Sequence, residues 1–228
     1  MSRSLAGALL ILALAGAPLH AEQTISVDEL KIRSEAGDKT ATRALAEAYY
    51  VGRGGVAQDF AQAAHWYRKL ASQGEAAAQT SLGLMHARGL GFPKNMAEAR
   101  KWWSLAAAQN DPGAQHNLGM VYLEGAGVAV DAPQALHWFQ RAAARGHVLA
   151  QRMVGLMHFE GKGTPRDELT GITWLKIAAD NGEEGAQETL KIVSRRVSAD
   201  LLATAAERAA EWRAGEKQRD AGKALRGR

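Results

Sequence analysis

Four tryptophans, Trp66, Trp102, Trp138 and Trp174, stand at one fixed interval of 36 residues. Ala78, Ala114, Ala150 and Ala186 keep that interval, as do Leu82, Leu118 and Val154 and the glycines beside them, Gly83, Gly119 and Gly155. Gly74, Asn110, Gly146 and Gly182 close the pattern. Upstream, Ala41 and Leu45 fit at a spacing of 37, and the glycine run Gly52-Arg53-Gly54-Gly55 carries the additional residue. A period of this length constrains the fold more tightly than composition can. Each unit is one supersecondary element whose apolar face can be covered only by the next copy. Four full units start near Ala41, Ala78, Ala114 and Ala150.

Each unit reads as two helices. The first helix of unit three runs from Ala114 to Glu124 and is stopped by Gly125, which tolerates the left-handed conformation that closes a helix. The second starts at a capping residue: Asp59, Asn95, Asp131 or Asp167. Gln62, Glu98 and Gln134 follow three positions on, giving capping-box character, whereas unit four has Thr170 there. Pro133 falls in the first turn, where its missing N–H costs little. The glycine pairs Gly89/Gly91, Gly125/Gly127 and Gly161/Gly163 superficially suggest phosphate-binding loops. Such loops lead from a strand into a helix and continue into Lys-Ser/Thr. These glycines join two helices and lack that continuation, so they are turn residues. Ala135, Trp138 and Ala142 share one face of the second helix, where small residues beside a large ring permit close helix approach. Trp138 is therefore expected to be buried between helices. The expected fold is all-α, a right-handed α-solenoid.

The recurring pattern is A-x-x-x-L-G-x-M-Y, a glycine loop, D, A-x-x-W-(Y/F)-x-x-A-A, then G. It resembles the Sel-one-like repeat family, a 36-residue relative of the tetratricopeptide repeats. Unit three carries it most fully: Ala114, Leu118, Gly119, Tyr122, Gly125, Gly127, Val128, Asp131, Ala135, Trp138, Phe139, Ala142, Ala143 and Gly146. The likeness extends over roughly residues 41–197. His86 and His158 at the tyrosine position, Gly171 at a second-helix alanine and Ala46 for the first-helix glycine depart from it. The resemblance implies protein–protein interaction, with first helices lining the inner surface of the solenoid.

The ends read as caps. Ser26 with Glu29 forms a capping box for a short helix to about Ala36, within an N-terminal segment 22–40. The four repeats occupy 41–185. Segment 186–214 then holds a fifth first-type helix, Ala186 to Val197, and a last helix capped by Ser198 with Leu202, Ala205, Ala209 and Trp212 on one side. Residues 215–228 form a basic tail expected to be disordered. Residues 1–21 read as a signal peptide: Arg3, then an apolar stretch from Leu5 to Ala17 of 13 residues, with cleavage after Ala21 favoured over retention as an anchor. A periplasmic or secreted protein is expected, with no stable membrane insertion after cleavage. The formal charge of +4 is a property of the ends: Arg3 and the tail account for it, leaving 22 basic and 22 acidic residues between Glu22 and Ala214. Nothing there calls for nucleic acid.

With no cysteine, the chain has neither disulfides nor thiolate sites. His86 and His158, like His65 and His137, are equivalent positions two repeats apart, roughly 20 Å at about 10 Å per helix layer, too far to share a metal. They read as packed side chains. No serine lies in a nucleophile motif. Trp102-Trp103 could suggest a sugar platform, but both occupy repeat positions and packing explains them. The cysteine-rich, penicillin-binding branch of the family is a poor analogy for a cysteine-free chain. No catalytic residue, metal or cofactor is expected, and a monomer is.

One feature exceeds what packing within a unit requires. The other side of the first helices reads Arg43-Glu47-Tyr50, Thr80-Leu84-Ala87, His116-Met120-Leu123 and Arg152-Leu156-Phe159. Its last three copies are apolar where solvent is expected. Tyr50, Leu84, His116, Met120, Leu123, Arg152, Leu156 and Phe159 are therefore candidates for a partner-binding groove. Burial between successive first helices is the competing explanation. The expected function is an exported adaptor or regulator without catalysis. An envelope polysaccharide or secretion scaffold is the alternative, and a cell-wall hydrolase or penicillin-interacting enzyme a more distant one.

Overall fold

The computed structural model of the chain describes residues 25–226, with side chains through residue 215. The expected signal peptide lies outside the described residues. Among those described there are eleven helices and no strand. Helix α1 (Val27–Glu35) precedes four helix pairs: α2 (Lys39–Val51) with α3 (Phe60–Ser72), α4 (Ala76–Arg88) with α5 (Met96–Ala108), α6 (Pro112–Glu124) with α7 (Ala132–Ala143), and α8 (Val148–Glu160) with α9 (Glu168–Asp180). Two helices follow, α10 (Glu184–Val193) and α11 (Ala199–Arg226). Each helix packs on its sequence neighbours, except that α11 turns back onto α9. Contacts confined to adjacent units are the signature of a solenoid.

The caps lie where the spacing predicts. Asp59, Asn95, Asp131 and Asp167 each accept a backbone N–H in the first turn of a second helix. Gly125 ends α6 with φ of 71°. Two of the loop glycines, Gly91 and Gly163, are packed on the preceding unit rather than open to an anion. A Cβ on Gly163 would lie 2.5 Å from the Ala132 carbonyl, so the loop of unit four rests on the start of α7 in unit three.

The second, third and fourth pairs each close on a helical glycine. A Cβ at Gly83 would meet Trp103 at 2.5 Å, one at Gly119 would meet Phe139 at 2.6 Å, and one at Gly155 would meet Leu175 at 2.8 Å. Phe139 and Leu175 are wholly buried and Trp103 nearly so. This corrects the expectation for Trp138, which is only half-buried. Trp138 packs on a cluster that joins Ala99 and Trp103 of the preceding unit to Leu118 of its own, and Arg141 covers its ring at 4.9 Å. Successive helical residues diverge by about 100°. When Phe139 points into its own pair, Trp138 must point across to the previous second helix. The tryptophan row seals joints between units; the following residue fills the core.

A second row is polar. Gln79, Gln115 and Gln151 are buried, and their amides donate to the carbonyls of Ala71, Ala107 and Ala143 at 3.1, 3.3 and 3.3 Å. Gln187 does the same for Ala179 at 3.2 Å. Each glutamine thus gives a second partner to a last-turn carbonyl that also accepts the amide three residues on, from Gly74, Asn110, Gly146 or Gly182.

Ser26 caps α1 through the Glu29 amide at 3.2 Å, and a buried Ser34–Thr42 hydroxyl contact of 2.8 Å ties α1 to α2. At the other end Ser198 accepts from Leu201, Ala205 and Ala209 are wholly buried, and Trp212 meets Trp174 edge-on at 4.8 Å. Helix α10 stops at Val193, four residues short of the predicted Val197. The tail corrects the sequence reading more strongly, because α11 continues through it to Arg226. Lys, Arg, Glu, Gln and Ala dominate that stretch, and these residue types hold a helix without an apolar face. No helix among the described residues is long and apolar enough to cross a membrane.

Candidate protein-binding face

The candidate residues lie on the first helices, one helix turn apart in each unit. All eight are half-buried. Leu84 packs on the Ala114–Leu118–Val121 cluster of unit three, and Met120 and Leu123 pack on the Ala150–Val154–Met157 cluster of unit four. Leu156 reaches the Ala186 cluster, and Phe159 reaches Ile172, Val193 and Ala205. Tyr50 meets Phe60 and Tyr67 edge-on at 5.5 and 6.4 Å. Each apolar side chain therefore has one flank packed, in most cases on a cluster that reaches the following unit, and one flank open. Inter-unit packing and an accessible apolar row coexist in the same residues.

A row of linked pairs runs along the start of these helices. The fifth residue of each of α2, α4, α6 and α8 meets the residue capping the next first helix. Arg43 pairs with Glu75 through two guanidinium nitrogens. Thr80 donates to Asp111 at 2.9 Å. His116 overlies His147, with ring centroids 4.7 Å apart and planes inclined by 22°. Arg152 pairs with Glu183 at 3.2 Å. Asp111, His147 and Glu183 also cap their helices through the amides of Ala114, Ala150 and Ala186. His116 and Arg152 belong to this row and were placed at the face by the sequence; their partners His147 and Glu183 were missed.

The remaining histidines are packing groups. His86 stacks on Phe92 at 4.1 Å, while His65 and His137 lie edge-on to Trp66 and Trp138. Burial depresses the His86 pKa, since a charged ring would lose hydration there. Trp103 donates to the Thr80 carbonyl at 3.2 Å and is a packed residue, not a sugar platform. Among the described residues no three His, Cys, Asp or Glu side chains converge as metal ligands.

The Sel1 repeat matches four times without a break, at residues 40–75, 76–111, 112–147 and 148–183. The chain belongs to the Sel1 repeat family. Two solved structures agree with that at the level of the whole array. The protective antigen c5321 of uropathogenic Escherichia coli, which displays an SLR fold, is 33% identical with a TM-score of 0.75, over 82% of this chain and 40% of that one. A Sel1 repeat protein from Oxalobacter formigenes is 36% identical with a TM-score of 0.65, over 73% of this chain and 48% of that one. This chain thus spans less than half of each of those relatives. The immunity protein Pa5087 from Pseudomonas aeruginosa, 20% identical over 82% of this chain and 71% of its own with a TM-score of 0.50, shares the fold alone. Among curated proteins none matches. Sel1-repeat proteins generally mediate protein–protein interaction and are typically non-enzymatic scaffolds.

Proposed function

We propose that this protein is an exported, periplasmic adaptor or regulator that holds a protein partner on the row of first helices, through Tyr50, Leu84, His116, Met120, Leu123, Arg152, Leu156 and Phe159. One observation carries the reading. Met120, Leu123, Leu156 and Phe159 keep an apolar flank outside the core, at adjacent positions of consecutive units, instead of the polar side chains a solvated face would have. A row of that kind suits a helix or extended peptide whose energy concentrates in a few central contacts. Export rests on the apolar N-terminal segment.

The test is site-specific photocrosslinking in an envelope extract. A photoreactive residue replacing Leu123 or Phe159 should give one discrete adduct, and one replacing the exposed Leu105 on α5 should give none. Adding Met120→Gln and Leu156→Gln should abolish that adduct while the helical circular dichroism stays native. An adduct from Leu105 alone moves the site to the second helices. A folded double variant that still crosslinks removes these side chains from recognition.

A further inference from the structure

We propose that the joint between units three and four is a proton-sensitive hinge, in which the stacked His116–His147 pair holds the joint closed when neutral and opens it when protonated. The three equivalent joints are linked by opposite charges or by a hydroxyl donating to a carboxylate: Arg43–Glu75, Arg152–Glu183 and Thr80–Asp111. Only here do two groups of the same titrating kind face each other, 4.7 Å apart and half-buried. The hinge stands whether or not the face binds a partner.

The geometry gives protonation two consequences. His147 Nδ1 accepts the Ala150 amide at 3.3 Å and caps α8. A ring that accepts at Nδ1 carries its hydrogen on Nε2, so the next proton goes to Nδ1 itself. That proton removes the cap and puts a positive charge at a helix N-terminus, where the helix dipole is already positive. The second consequence is repulsion from His116 across the stack. The surrounding groups decide how firmly the neutral state is held. Asp111, capping α6, faces His147 and favours its charge, but its Oδ1 is engaged by Thr80 and by the Ala114 amide. Arg152 of α8 opposes charge on His116, Asn117 of α6 favours it, and Phe139 of α7 presents an uncharged ring 5.6 Å away.

Burial first, and then the neighbouring His147, depress the His116 pKa to about 4; burial, partly offset by Asp111, depresses that of His147. The folded values lie below the ordinary 6.5, so the open or unfolded joint binds protons more readily. The stabilisation is complete above about pH 6.5 and is lost as the pH falls from there toward about 4.

Hydrogen exchange corrected for intrinsic rates, at pH 7.5 and pH 5.0, reads the joint directly. Protection of the first-turn amides of α8 should fall by up to about thirtyfold on acidification, the ratio set by a group moving from about 4 to 6.5. The first turn of α4, which follows the Arg43–Glu75 joint and has no histidine cap, should keep its protection. His147→Asn retains a capping oxygen and cannot titrate, so it should reduce the response of α8 to the part that His116 alone supplies; the pair H116R/H147E, copying the outer joints, should flatten it. A wild-type α8 equally protected at both pH values overturns the proposal. So does a His147→Asn protein that loses as much protection as wild type. Should the double exchange fail to fold, the asparagine variant and the imidazole titration of the wild type decide alone.

Discussion

The outer joints of the array and its inner joints are built from one template with different chemistry. At the ends, Arg43–Glu75 and Arg152–Glu183 join neighbouring units by charge. Inside, Thr80–Asp111 and His116–His147 occupy the same positions with a single hydrogen bond and a neutral stack. The apolar layer beneath is nearly constant: a glycine on the first helix meets Trp103, Phe139 or Leu175 on the second. A repeat fold separates these duties. The core layer fixes the pitch, while the cap layer is free to vary and gives each joint its own response to pH and salt.

The largest expected effect tests the core layer. Phe139 is wholly buried, faces Gly119 and lies 5.6 Å from His116, so it supports both its own pair and the third joint. Phe139→Ala should cost about 3–5 kcal/mol. Trp138→Ala, at a half-buried ring, should cost about 1–3 kcal/mol. Urea unfolding of the two variants checks the order. A larger loss for Trp138→Ala would reassign the core to the tryptophan row.

An intermediate effect separates two joints by their buried amides. The Gln151 oxygen accepts from Asn181 at 3.0 Å, whereas the Gln115 oxygen has no partner, because Arg145 at the position matching Asn181 bonds Asn110 instead. Gln151→Met breaks two hydrogen bonds and should cost about 1–3 kcal/mol. Gln115→Met breaks one, and the Ala107 carbonyl keeps the Asn110 amide at 3.0 Å, so it should cost less. Equal losses, measured by thermal unfolding at pH 7.5, would show that the unpaired oxygen makes no difference.

The architecture was legible in the sequence because a period reports what every unit shares. The capping residues, the glycine stops and both end caps follow from residue types at fixed offsets. Relative burial was not legible. A tryptophan at constant phase signals a constant neighbour, and Trp138 proves to face the previous unit while the less conspicuous Phe139 fills the core. The glutamines at 79, 115, 151 and 187 keep the period too, but nothing in the sequence marks their partner, a helix-end carbonyl, and the row went unread. His147 was missed for a similar reason. It stands 31 residues from His116, and only the stacking of unit on unit turns that offset into a contact. The apolar row was found by its pattern, and its two roles, packing and exposure, separate only by flank.

The smallest expected effect concerns salt, and it sharpens the contrast between joints. Arg43 is half exposed and its link to Glu75 is an ion pair near the surface, worth up to about 1 kcal/mol and screened by electrolyte. At 1 M salt the Debye length shrinks to about 3 Å, so most of that contribution disappears. Arg152–Glu183 is less exposed and should keep more of it. The neutral His116–His147 stack has no charge to screen at pH 7.5. Raising the salt should therefore speed exchange modestly in the first turn of α4, less in α10, and not in α8. Arg43→Gln should remove the response of α4 and leave the other two unchanged. If instead α8 responds to salt as strongly as α4, the third joint carries charge at neutral pH, and its histidines are not the neutral pair on which the contrast with the outer joints depends.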